Sequence, residues 1–550
     1  MNTRWLVILS LFGLAPNALA RPEKPPTVRE AQQTLRMPRG SLSLGLTNKG
    51  TLRHGVALPV KGRGFAVFPH FVRRETRYGT RELVLLIKRV ARKMAKRFPG
   101  AVLGIGNLSR EGGGQTGGSV SHKSGRDADI GMYARTAKGR PVNLKGFRSF
   151  YAGGWDKRRR SRFDFKRNLA LVEALVMDTK APVQFIFVAD WLKKGMLAEA
   201  ARQGLAAEVI KRIEIVCRQP SDSNPHHHHF HVRIYCSVQD RLHGCLERGA
   251  VHPWVNLGDD RFNAHVKRII RLLQMSSSRW RRRAVEALGS LRAVQAVASL
   301  VQALEDRHAG VRKSALVSLG QIRSPLALDP LKQKLTQVTG PELAAALVKL
   351  IGRLPVPDRV PLARKVILAP TKALHGAVAK QPGPVWMEAA KILRRHGRKT
   401  ALKPLRKLLL NADQALRQLA HEGLRHVTNQ PIGRRLKRRS RASKWARAMR
   451  EWNAFFEKHA NGDWLAWMKL GFEARGTTFA TGPLTRAAVP QLIALVRDRE
   501  RTVWMNAART LSALTGHVAP PWWRTQRNNH RHWKSYWKGV SQGKTKKKTP

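Results

Sequence analysis

A repeated pattern of alanine, leucine and glycine in the C-terminal half of this 550-residue chain restricts what it can fold into. The pattern recurs with a spacing of about 31 residues, and each period holds two short segments with helical apolar spacing. It is carried by Ala284, Leu288 and Gly289, Ala315, Leu319 and Gly320, Ala346, Leu350 and Gly352, Ala389 and Leu393, and Ala420 and Leu424. Paired helices of this kind bury their apolar faces only against neighbouring pairs, so the sequence predicts an all-α solenoid with these residues as its core.

The solenoid resembles HEAT repeats, and we expect it to begin near residue 259 and to include 489–514 as a late unit. Two segments interrupt it, residues 434–467 and the tail after His517, and both combine basic residues with tryptophans. The tryptophans are Trp445, Trp452, Trp464 and Trp467 in the first segment and Trp522, Trp523, Trp533 and Trp537 in the second. They either stack on nucleobases or sugar rings or, more simply, pack inward from helical caps whose lysines and arginines face solvent. Residues 544–548 are predicted to be a disordered basic tail.

Residues before about 258 follow a different pattern, in which short β-like runs alternate with Gly-rich loops. Apolar and β-branched residues predict strands at 102–105, 184–188, 213–216 and 231–235. Helical spacing predicts helices at 81–96 and 167–177. The N-terminal half is therefore predicted to be an α+β domain with a small antiparallel sheet, followed by the all-α HEAT-like solenoid.

The charge balance is extreme, because 103 Lys+Arg oppose 35 Asp+Glu and leave a formal net charge of +68. With 42% hydrophobic residues the chain can still form packed cores, which excludes wholesale disorder. Such a charge predicts attachment to polyanions and does not by itself distinguish nucleic acid, anionic glycan and membrane surface.

Three cysteines are too few for a disulfide scaffold, and they lack the Cys-x-x-Cys spacing of a zinc knuckle. Cys236 and Cys245 are close in sequence and are the expected pair. Cys217 is then expected to be free or buried.

The first twenty residues have the pattern of a secretory signal. Arg4 gives a positive start, residues 5–14 form a short apolar stretch, and residues 18–20, Ala-Leu-Ala, form a small-x-small cleavage pattern. The apolar stretch is too short to span a bilayer, and no other segment approaches about 18 uninterrupted apolar residues. We therefore expect no transmembrane segment and a mature chain that begins near Arg21, in the periplasm or secreted. There, a cell-wall or envelope polyanion is a more natural partner than nucleic acid.

Two histidine-containing motifs carry the chemistry. Residues 117–133 read GGSVSHKSGRDADIGMY and place His122 before Asp129 across a Gly-containing turn. Residues 225–234 read PHHHHFHVRI, and His229 and His231 enter a predicted strand, in which alternate residues point to one face. Three imidazole and carboxylate ligands with a position open for water are typical of catalytic zinc, whereas a structural site takes four ligands. A lone His-x-His also occurs in solvated loops, so a metal site is favoured by the combination of this motif with His122 and Asp129.

The motifs SHKSGRDADI and HHHHFHVRI resemble those of the penicillin-insensitive murein endopeptidase family. That family is part of a wider group of zinc peptidases that includes lysostaphin, the D-Ala-D-Ala metallopeptidases and the hedgehog fold. The resemblance extends over roughly residues 41–245, includes the upstream SLGLTNKGTL, and covers none of the solenoid. Where some members have a histidine three positions before the first ligand, this chain has Ser119, which leaves a three-ligand site intact.

The resemblance implies that His122, Asp129 and His231 bind one catalytic Zn²⁺ ion. It also implies that His229 is the catalytic histidine and places His226 at another active-site position. Zinc lowers the pKa of bound water to about 7, His229 can move a proton from that water to the leaving amine, and His226 is placed to stabilise the oxyanion.

Other polar residues of the first motif are expected to serve the structure. Asp127 more simply orients a loop or a ligand than binds metal. No acyl-enzyme is needed in this mechanism, so Ser119, Ser121 and Ser124 are loop residues and β-lactams should not inhibit.

By resemblance, the substrate is the peptide cross-link of peptidoglycan, cut between D-alanine and a diamino acid. Anionic wall polymers would hold the basic protein on the mesh, and the solenoid would bind the wall or a protein partner. The alternative is a non-catalytic exported scaffold with a structural or decayed metal site and a functional basic solenoid. A third hypothesis, an exported nucleic-acid binder, rests only on charge and interleaved tryptophans.

We divide the chain into seven segments by these patterns. They are a signal peptide at 1–20, a basic Pro-rich leader at 21–40, a zinc peptidase domain at 41–258, HEAT-like repeats at 259–430, a basic Trp-containing insertion at 431–480, a further repeat at 481–516, and a Trp-rich basic tail at 517–550.

Overall fold

The computed structural model describes residues 24–117, 119–220, 224–249, 251–338, 340–368, 382–517 and 526–541. The predicted signal peptide, Trp522, Trp523 and the basic tail at 544–548 lie outside the described residues. The chain divides into two compact units, Met1–Ile322 and Arg323–Pro550. Each unit is described by itself.

The first unit is built around one seven-stranded sheet. The strands along its described residues are β1 (Leu42–Leu44), β2 (Thr51–Arg53), β3 (Val56–Ala57), β4 (Lys61–Gly62), β5 (Phe65–Val67), β6 (Tyr78–Gly79), β7 (Leu103–Ile105), β8 (Asp127–Gly131), β9 (Ala134–Thr136), β10 (Pro141–Val142), β11 (Ser161–Phe163), β12 (Val183–Phe187), β13 (Cys217–Arg218) and β14 (His229–Ile234). The large sheet has the order β13-β12-β14-β8-β7-β5-β4. Its four central strands pair antiparallel, as expected, and parallel pairings of β12 with β13 and of β5 with β7 extend it on both sides.

The first unit also contains α-helices. They are α1 (Val28–Thr34), α2 (Pro69–Arg73), α3 (Arg81–Arg97), α4 (Phe165–Val176), α5 (Asp190–Arg202), α6 (Ala207–Val216), α7 (Val238–Arg241), α8 (Asp259–Arg271), α9 (Ser278–Ser290), α10 (Val297–Gln302) and α11 (Ala309–Ile322). α3 begins where the Thr80 side chain accepts a hydrogen bond from the backbone N–H of Leu83. Its buried residues recur at helical spacing and join those of α4, β7, β8 and β14 in one hydrophobic core.

Most predicted elements of this unit are confirmed with small shifts at their ends, and one is wrong. Residues 213–216, predicted as a strand, form the last turn of α6. Val209, Ile210, Ile213 and Val216 recur at helical spacing, so this amphipathic period overrides the β propensity of the local run. The strand begins only at Cys217.

The predicted disulfide between Cys236 and Cys245 is confirmed. It follows β14 directly, and beside it the backbone of Gly45 exchanges hydrogen bonds with Gly244 and Leu246. Cys217 is free and buried, and burial raises the pKa of its thiol to about 12.

The second unit is all-helical among its described residues. Its helices are α12 (Leu328–Gln337), α13 (Pro341–Ile351), α14 (Arg359–Leu368), α15 (Gly383–His396), α16 (Leu402–Leu409), α17 (Gln414–Thr428), α18 (Ala442–His459), α19 (Trp464–Glu473), α20 (Val489–Leu495), α21 (Arg501–Thr515) and α22 (Gln526–Ser541). Most of the predicted repeat residues are buried on these helices and on α9 and α11, among them Ala284, Leu288, Ala315, Leu319, Leu350, Ala389, Leu393, Ala420 and Leu424. Gly320 and Ala346 are half-buried. The predicted fold class, an α+β domain followed by a HEAT-like solenoid, is confirmed.

The tryptophans of α18 and α19 pack inward. Trp445, Trp452, Trp464 and Trp467 are all buried. Trp452 stacks on Phe456 at 5.7 Å between ring centroids, and its indole N–H donates to Nδ1 of His421 at 3.0 Å. These rings are therefore core residues and offer no platform for stacking on bases or sugars.

Candidate metal centre

Two neighbouring strands, β8 and β14, hold the acidic and imidazole groups of the first unit in register. His231 lies opposite Asp129, and Arg233 lies opposite Asp127. Because side chains alternate along a strand, His229, His231 and Arg233 share one face of β14. All five residues of β8 are buried, so the groups on this face meet away from bulk water.

The carboxylate of Asp129 forms the centre of this cluster. Its Oδ1 lies 3.1 Å from Nε2 of His122, 3.2 Å from Nδ1 of His231 and 3.2 Å from Nε2 of His229. All four side chains are buried. The fold thus brings the three predicted metal ligands and the predicted catalytic histidine together around one oxygen atom.

His122 reaches the cluster from the loop before β8. Its φ of 67° lies in the left-handed region, which costs energy for a residue other than glycine. The backbone N–H of His122 donates to Oδ2 of Asp127 at 3.0 Å, and this bond holds the turn. This turn therefore points the His122 imidazole at Asp129.

Asp127 acts as an anchor beside the cluster. Its Oδ1 accepts from Nε of Arg233 at 2.6 Å, and its Oδ2 accepts from Nη2 of the same residue at 3.2 Å. Burial opposes ionisation, but the charges of Arg233 and His231 hold the pKa of Asp127 well below its usual range. The prediction that Asp127 orients a loop fits this geometry. Arg233 was missed, although the alternation His-x-His-x-Arg could have placed it on the same face.

His226 lies at the edge of the cluster, with its ring centroid 5.1 Å from that of His229 and 5.6 Å from that of His231. Its Nδ1 lies 2.7 Å from the carbonyl oxygen of Asn224, and a carbonyl can only accept, so Nδ1 carries a proton. Burial, then the charges of His231 and His229, lower the pKa of His226 to about 3. Its Nε2 is therefore an unprotonated acceptor.

Phe147 forms an aromatic wall against His229 that the sequence did not reveal. The two rings stack at 4.7 Å between centroids and 28° between planes. Gly106 provides the space, because a Cβ at this position would lie 2.2 Å from the Phe147 ring. Phe68 and Phe71 contact the other sides of Phe147 at 5.4 and 5.5 Å. Phe147 lies in a loop without periodic pattern, so no sequence signal marked it.

The buried charges of the cluster stabilise one another. Burial works against a charge on His231, but hydrogen bonds and the charges of Asp127 and Asp129 raise its pKa to about 9. Burial likewise opposes ionisation of Asp129, yet His122 and then His229 hold its pKa well below the usual range. Without a metal ion, the arrangement therefore favours an ionised Asp129 beside a protonated His231.

The residues fit a zinc ion. The candidate ligand atoms of His122, Asp129 and His231 all lie within 4.8 Å of one another, and His226, His229 and His231 form a second such group. Donors bound at 2.0–2.1 Å in a tetrahedron lie about 3.3 Å apart, close to the separations around Asp129. Imidazole and carboxylate donors are those that zinc prefers.

Comparison with known families confirms the resemblance. Residues 43–260 match the family model described as penicillin-insensitive murein endopeptidase, and residues 266–352 match the model of HEAT repeats. The first match contains every residue of the metal centre and supports murein endopeptidase activity. No curated protein matches the chain.

Several solved structures show a distant likeness. An engineered protein is 14% identical over 64% of this chain and 85% of its own, with a TM-score of 0.25. The complex of CpcE and CpcF of phycocyanin lyase from Nostoc sp. PCC7120 is 22% identical over 40% of this chain and 86% of its own, with a TM-score of 0.20. A second engineered protein is 17% identical over 46% of this chain and 96% of its own, with a TM-score of 0.22. Overlap this low bears on neither the fold nor the function of the chain.

No helix in the described ranges is long and apolar enough to cross a membrane.

Proposed function

We propose that this protein, whose residues 43–260 match the murein endopeptidases, is an exported zinc peptidase that hydrolyses D-alanyl–diamino acid cross-links of peptidoglycan. The convergence of three buried imidazole nitrogens on Oδ1 of Asp129, each within 3.2 Å, carries this proposal. A cluster of this composition inside a murein endopeptidase-like domain is suited to metal-assisted hydrolysis.

His122, Asp129 and His231 would hold the zinc ion. When bound, zinc supplies a water molecule with a pKa of about 7 and polarises the scissile carbonyl. Asp127, held by Arg233, would position two of the ligands. It accepts a hydrogen bond from the backbone N–H of His122, and its Oδ1 lies 3.6 Å from Nε2 of His231. Such supporting contacts orient ligands and tune their basicity.

His229 is the residue we assign to proton transfer. Its Nε2 points into the cluster, 3.2 Å from Oδ1 of Asp129, and its ring is fixed by the stacked Phe147. From this position Nε2 can accept the proton of the attacking water and deliver it to the leaving amine. The reaction then needs no serine nucleophile, so we expect β-lactams to leave it unaffected.

His226 is assigned a supporting role at the same site. To stabilise an oxyanion it must first take up a proton at Nε2, which burial opposes. With its proton on Nδ1, His226 can accept a hydrogen bond at Nε2, and we propose that it orients the attacking water by accepting from it.

Export to the periplasm or beyond is part of the proposal. The disulfide between Cys236 and Cys245 supports an oxidising compartment, as does the signal-like pattern of residues 1–20. We keep the domain boundaries drawn from the sequence, with the peptidase at 41–258 and repeats from 259, as proposals. The repeats would bind a protein partner, and the net charge of +68 would hold the enzyme on anionic wall polymers.

The proposal is tested by digesting purified cross-linked peptidoglycan with the zinc-loaded full-length mature protein and analysing the released muropeptides by mass spectrometry. We expect cross-linked dimers to be converted to monomers, with a mass gain of one water per cut and new termini that identify the bond. His231→Ala is expected to bind no catalytic zinc and to leave the dimers intact.

Two further measurements make the result decisive. A β-lactam added to the wild type should leave the rate unchanged. If wild type with verified bound zinc binds the sacculus but leaves dimers intact, the peptidase proposal is wrong and the non-catalytic scaffold replaces it.

A further inference from the structure

One row of paired residues crosses four strands of the large sheet and extends beyond the metal centre. Asp129 on β8 lies opposite His231 on β14. His231 lies opposite Phe187 on β12, and Phe187 lies opposite Arg218 on β13. Residues paired across neighbouring strands have their side chains on the same face of a sheet. Arg218 therefore lies on the face that carries the metal centre.

Arg218 is also close to that centre. Two spacings between neighbouring strands separate it from His231, which places the two Cα atoms about 10 Å apart. The Phe187 ring fills this interval, with its centroid 5.4 Å from that of His231 and 5.9 Å from that of His226. The guanidinium carbon of Arg218 lies 5.8 Å from the same Phe187 centroid. Its long side chain can therefore contact a residue that adjoins a peptide bond held at the metal centre.

The guanidinium group of Arg218 has no internal anionic partner. It stacks over Phe185, with its carbon 3.5 Å from the ring centroid, and this contact holds the group while its N–H edge stays open. Arg218 is exposed, and within the described residues its side chain forms neither an ion pair nor a hydrogen bond. Arg233 on the same face differs, since its Nε donates to Asp127 at 2.6 Å. Arg218 is thus a fixed cation whose donors are available to an anion.

The chemistry of the proposed substrate indicates which anion this cation meets. The bond to be cut joins the carboxyl carbon of D-alanine to an amine of a diamino acid. The carboxyl group of that alanine is consumed in the bond, so the adjoining residue on the acyl side has no free carboxylate. On the amine side, a diamino dicarboxylic acid has a free carboxylate on the carbon that bears the leaving amine. Arginine binds such a group through two parallel N–H···O bonds.

We propose that Arg218 is a specificity-determining residue that binds the carboxylate beside the leaving amine. This inference rests on the proposed peptidase function and adds to it the kind of diamino acid that the enzyme accepts. A cross-link in which this carboxylate is amidated is then a poor substrate, because an amide has no charge and one oxygen fewer to accept from the guanidinium. The contact would hold the amine-side residue in place while His229 delivers a proton to its nitrogen.

The experiment measures kcat/KM for two synthetic cross-linked peptides with the zinc-loaded full-length mature protein at physiological ionic strength. Both have 2,6-diaminopimelic acid on the amine side, and its carboxyl group beside the leaving amine is free in one peptide and amidated in the other. We expect the wild type to prefer the free carboxylate by about tenfold or more. Arg218→Met should lower kcat/KM for the free form by that factor and leave the amidated form unchanged. Arg218→Lys, which keeps the charge without the planar fork, should retain part of the preference.

Arg162→Met is the matched control. Arg162 is exposed on β11, in the three-stranded sheet, and its guanidinium carbon lies 5.5 Å from the centroid of the Trp155 ring. The variant removes the same charge and the same type of stacking contact, and it should keep the preference. The inference is wrong if the wild type cleaves both peptides equally well, if Arg218→Met slows both alike, or if Arg162→Met loses as much of the preference.

A binding measurement separates this inference from the peptidase proposal. If the wild type cleaves neither peptide, the peptidase proposal fails, and fluorescence anisotropy with the labelled peptides then tests Arg218 directly. Tighter binding of the free form that is lost in Arg218→Met and kept in Arg162→Met would support the contact. Equal binding of the two forms, or no binding of either, would overturn it.

Discussion

The metal centre of the first unit and the arginines around Glu500 in the second unit arrange buried charge in different ways. In the metal centre, Asp127 and Asp129 together face His122, His229, His231 and Arg233, so each carboxylate meets cationic or proton-bearing groups. Around Glu500, one carboxylate accepts from Arg425 at 2.8 Å and from Arg475 at 3.3 Å. The first arrangement has two carboxylates among its partners, and the second has one carboxylate shared by two arginines.

This difference indicates two kinds of charge pairing. Strand pairing in the sheet places acid opposite base, so the metal centre is preorganised and a cation can replace protons in it. Around Glu500, arginines from separate parts of the second unit share one carboxylate. We therefore expect single substitutions in the metal centre to change chemistry, and substitutions around Glu500 to change stability.

The largest effect is expected for His229→Ala. Removing the proton-transfer group should lower the rate of muropeptide release by about 10²–10⁴-fold while zinc stays bound, because His122, Asp129 and His231 remain. The rate is measured on purified peptidoglycan and the metal content by atomic absorption. His243→Ala, which lies outside the metal centre, is the control. Loss of zinc in His229→Ala would instead make His229 a ligand.

A smaller effect is expected for Arg233→Met. This change leaves Asp127 buried without its guanidinium partner, so the loop that carries His122 loses its anchor. Zinc affinity or activity should fall by about 10–100-fold. The affinity is measured by competition with a chelating dye, with the exposed Arg158→Met as the control. Unchanged affinity would show that Asp127 holds the loop without Arg233.

Zinc affinity should also depend on pH. In the metal-free protein the pKa of His231 is raised to about 9, so below that pH zinc must displace a proton from this ring. Affinity should therefore weaken by about tenfold for each pH unit between pH 8 and pH 7. The check is a dye-competition titration corrected for protonation of the dye. A flat profile would mean that His231 is already neutral before zinc binds.

The smallest effect is expected in the repeats, for Glu500→Gln. This change leaves Arg425 and Arg475, which are largely buried, without their shared carboxylate. The free energy of unfolding should fall by about 1–2 kcal/mol, a value moderated by the partial exposure of Glu500. Urea denaturation measures it, beside Glu451→Gln, whose ion pair with Arg447 is exposed and should matter little. Equal losses in both variants would remove the distinction between buried and exposed pairs.

The shared orientation of two histidines of the metal centre could be predicted from sequence, because they lie two residues apart on one strand. The His-x-His alternation placed His229 and His231 on one face of a strand, which depends only on β geometry. The proximity of His122 and Asp129 to that strand came from family resemblance. The pairing of His231 opposite Asp129 is a matter of register between strands far apart in sequence, which periodicity does not reveal.

The wrong strand and the missed Phe147 have different causes. Residues 213–216 have strand-like composition, yet the helical period that includes Val209 and Ile210 decides their structure. Phe147 is brought to His229 by a loop, and the space for it comes from Gly106. The simpler interpretation of the first tryptophan segment, inward packing, is confirmed by residues such as Trp452.

The separation of β8 from β14 along the chain has a consequence for how such an enzyme can evolve. The residues of the proposed metal centre lie on β8, β14 and the short turn before β8, and the register of the two strands fixes how they meet. The long stretch between Gly131 and His229 carries Phe147 and the partly exposed Tyr151, whose ring lies 5.3 Å from that of His227. Insertions, deletions and substitutions in that stretch can remodel the surroundings of the site while the register persists. Reactivity and substrate choice can therefore be inherited, or engineered, separately.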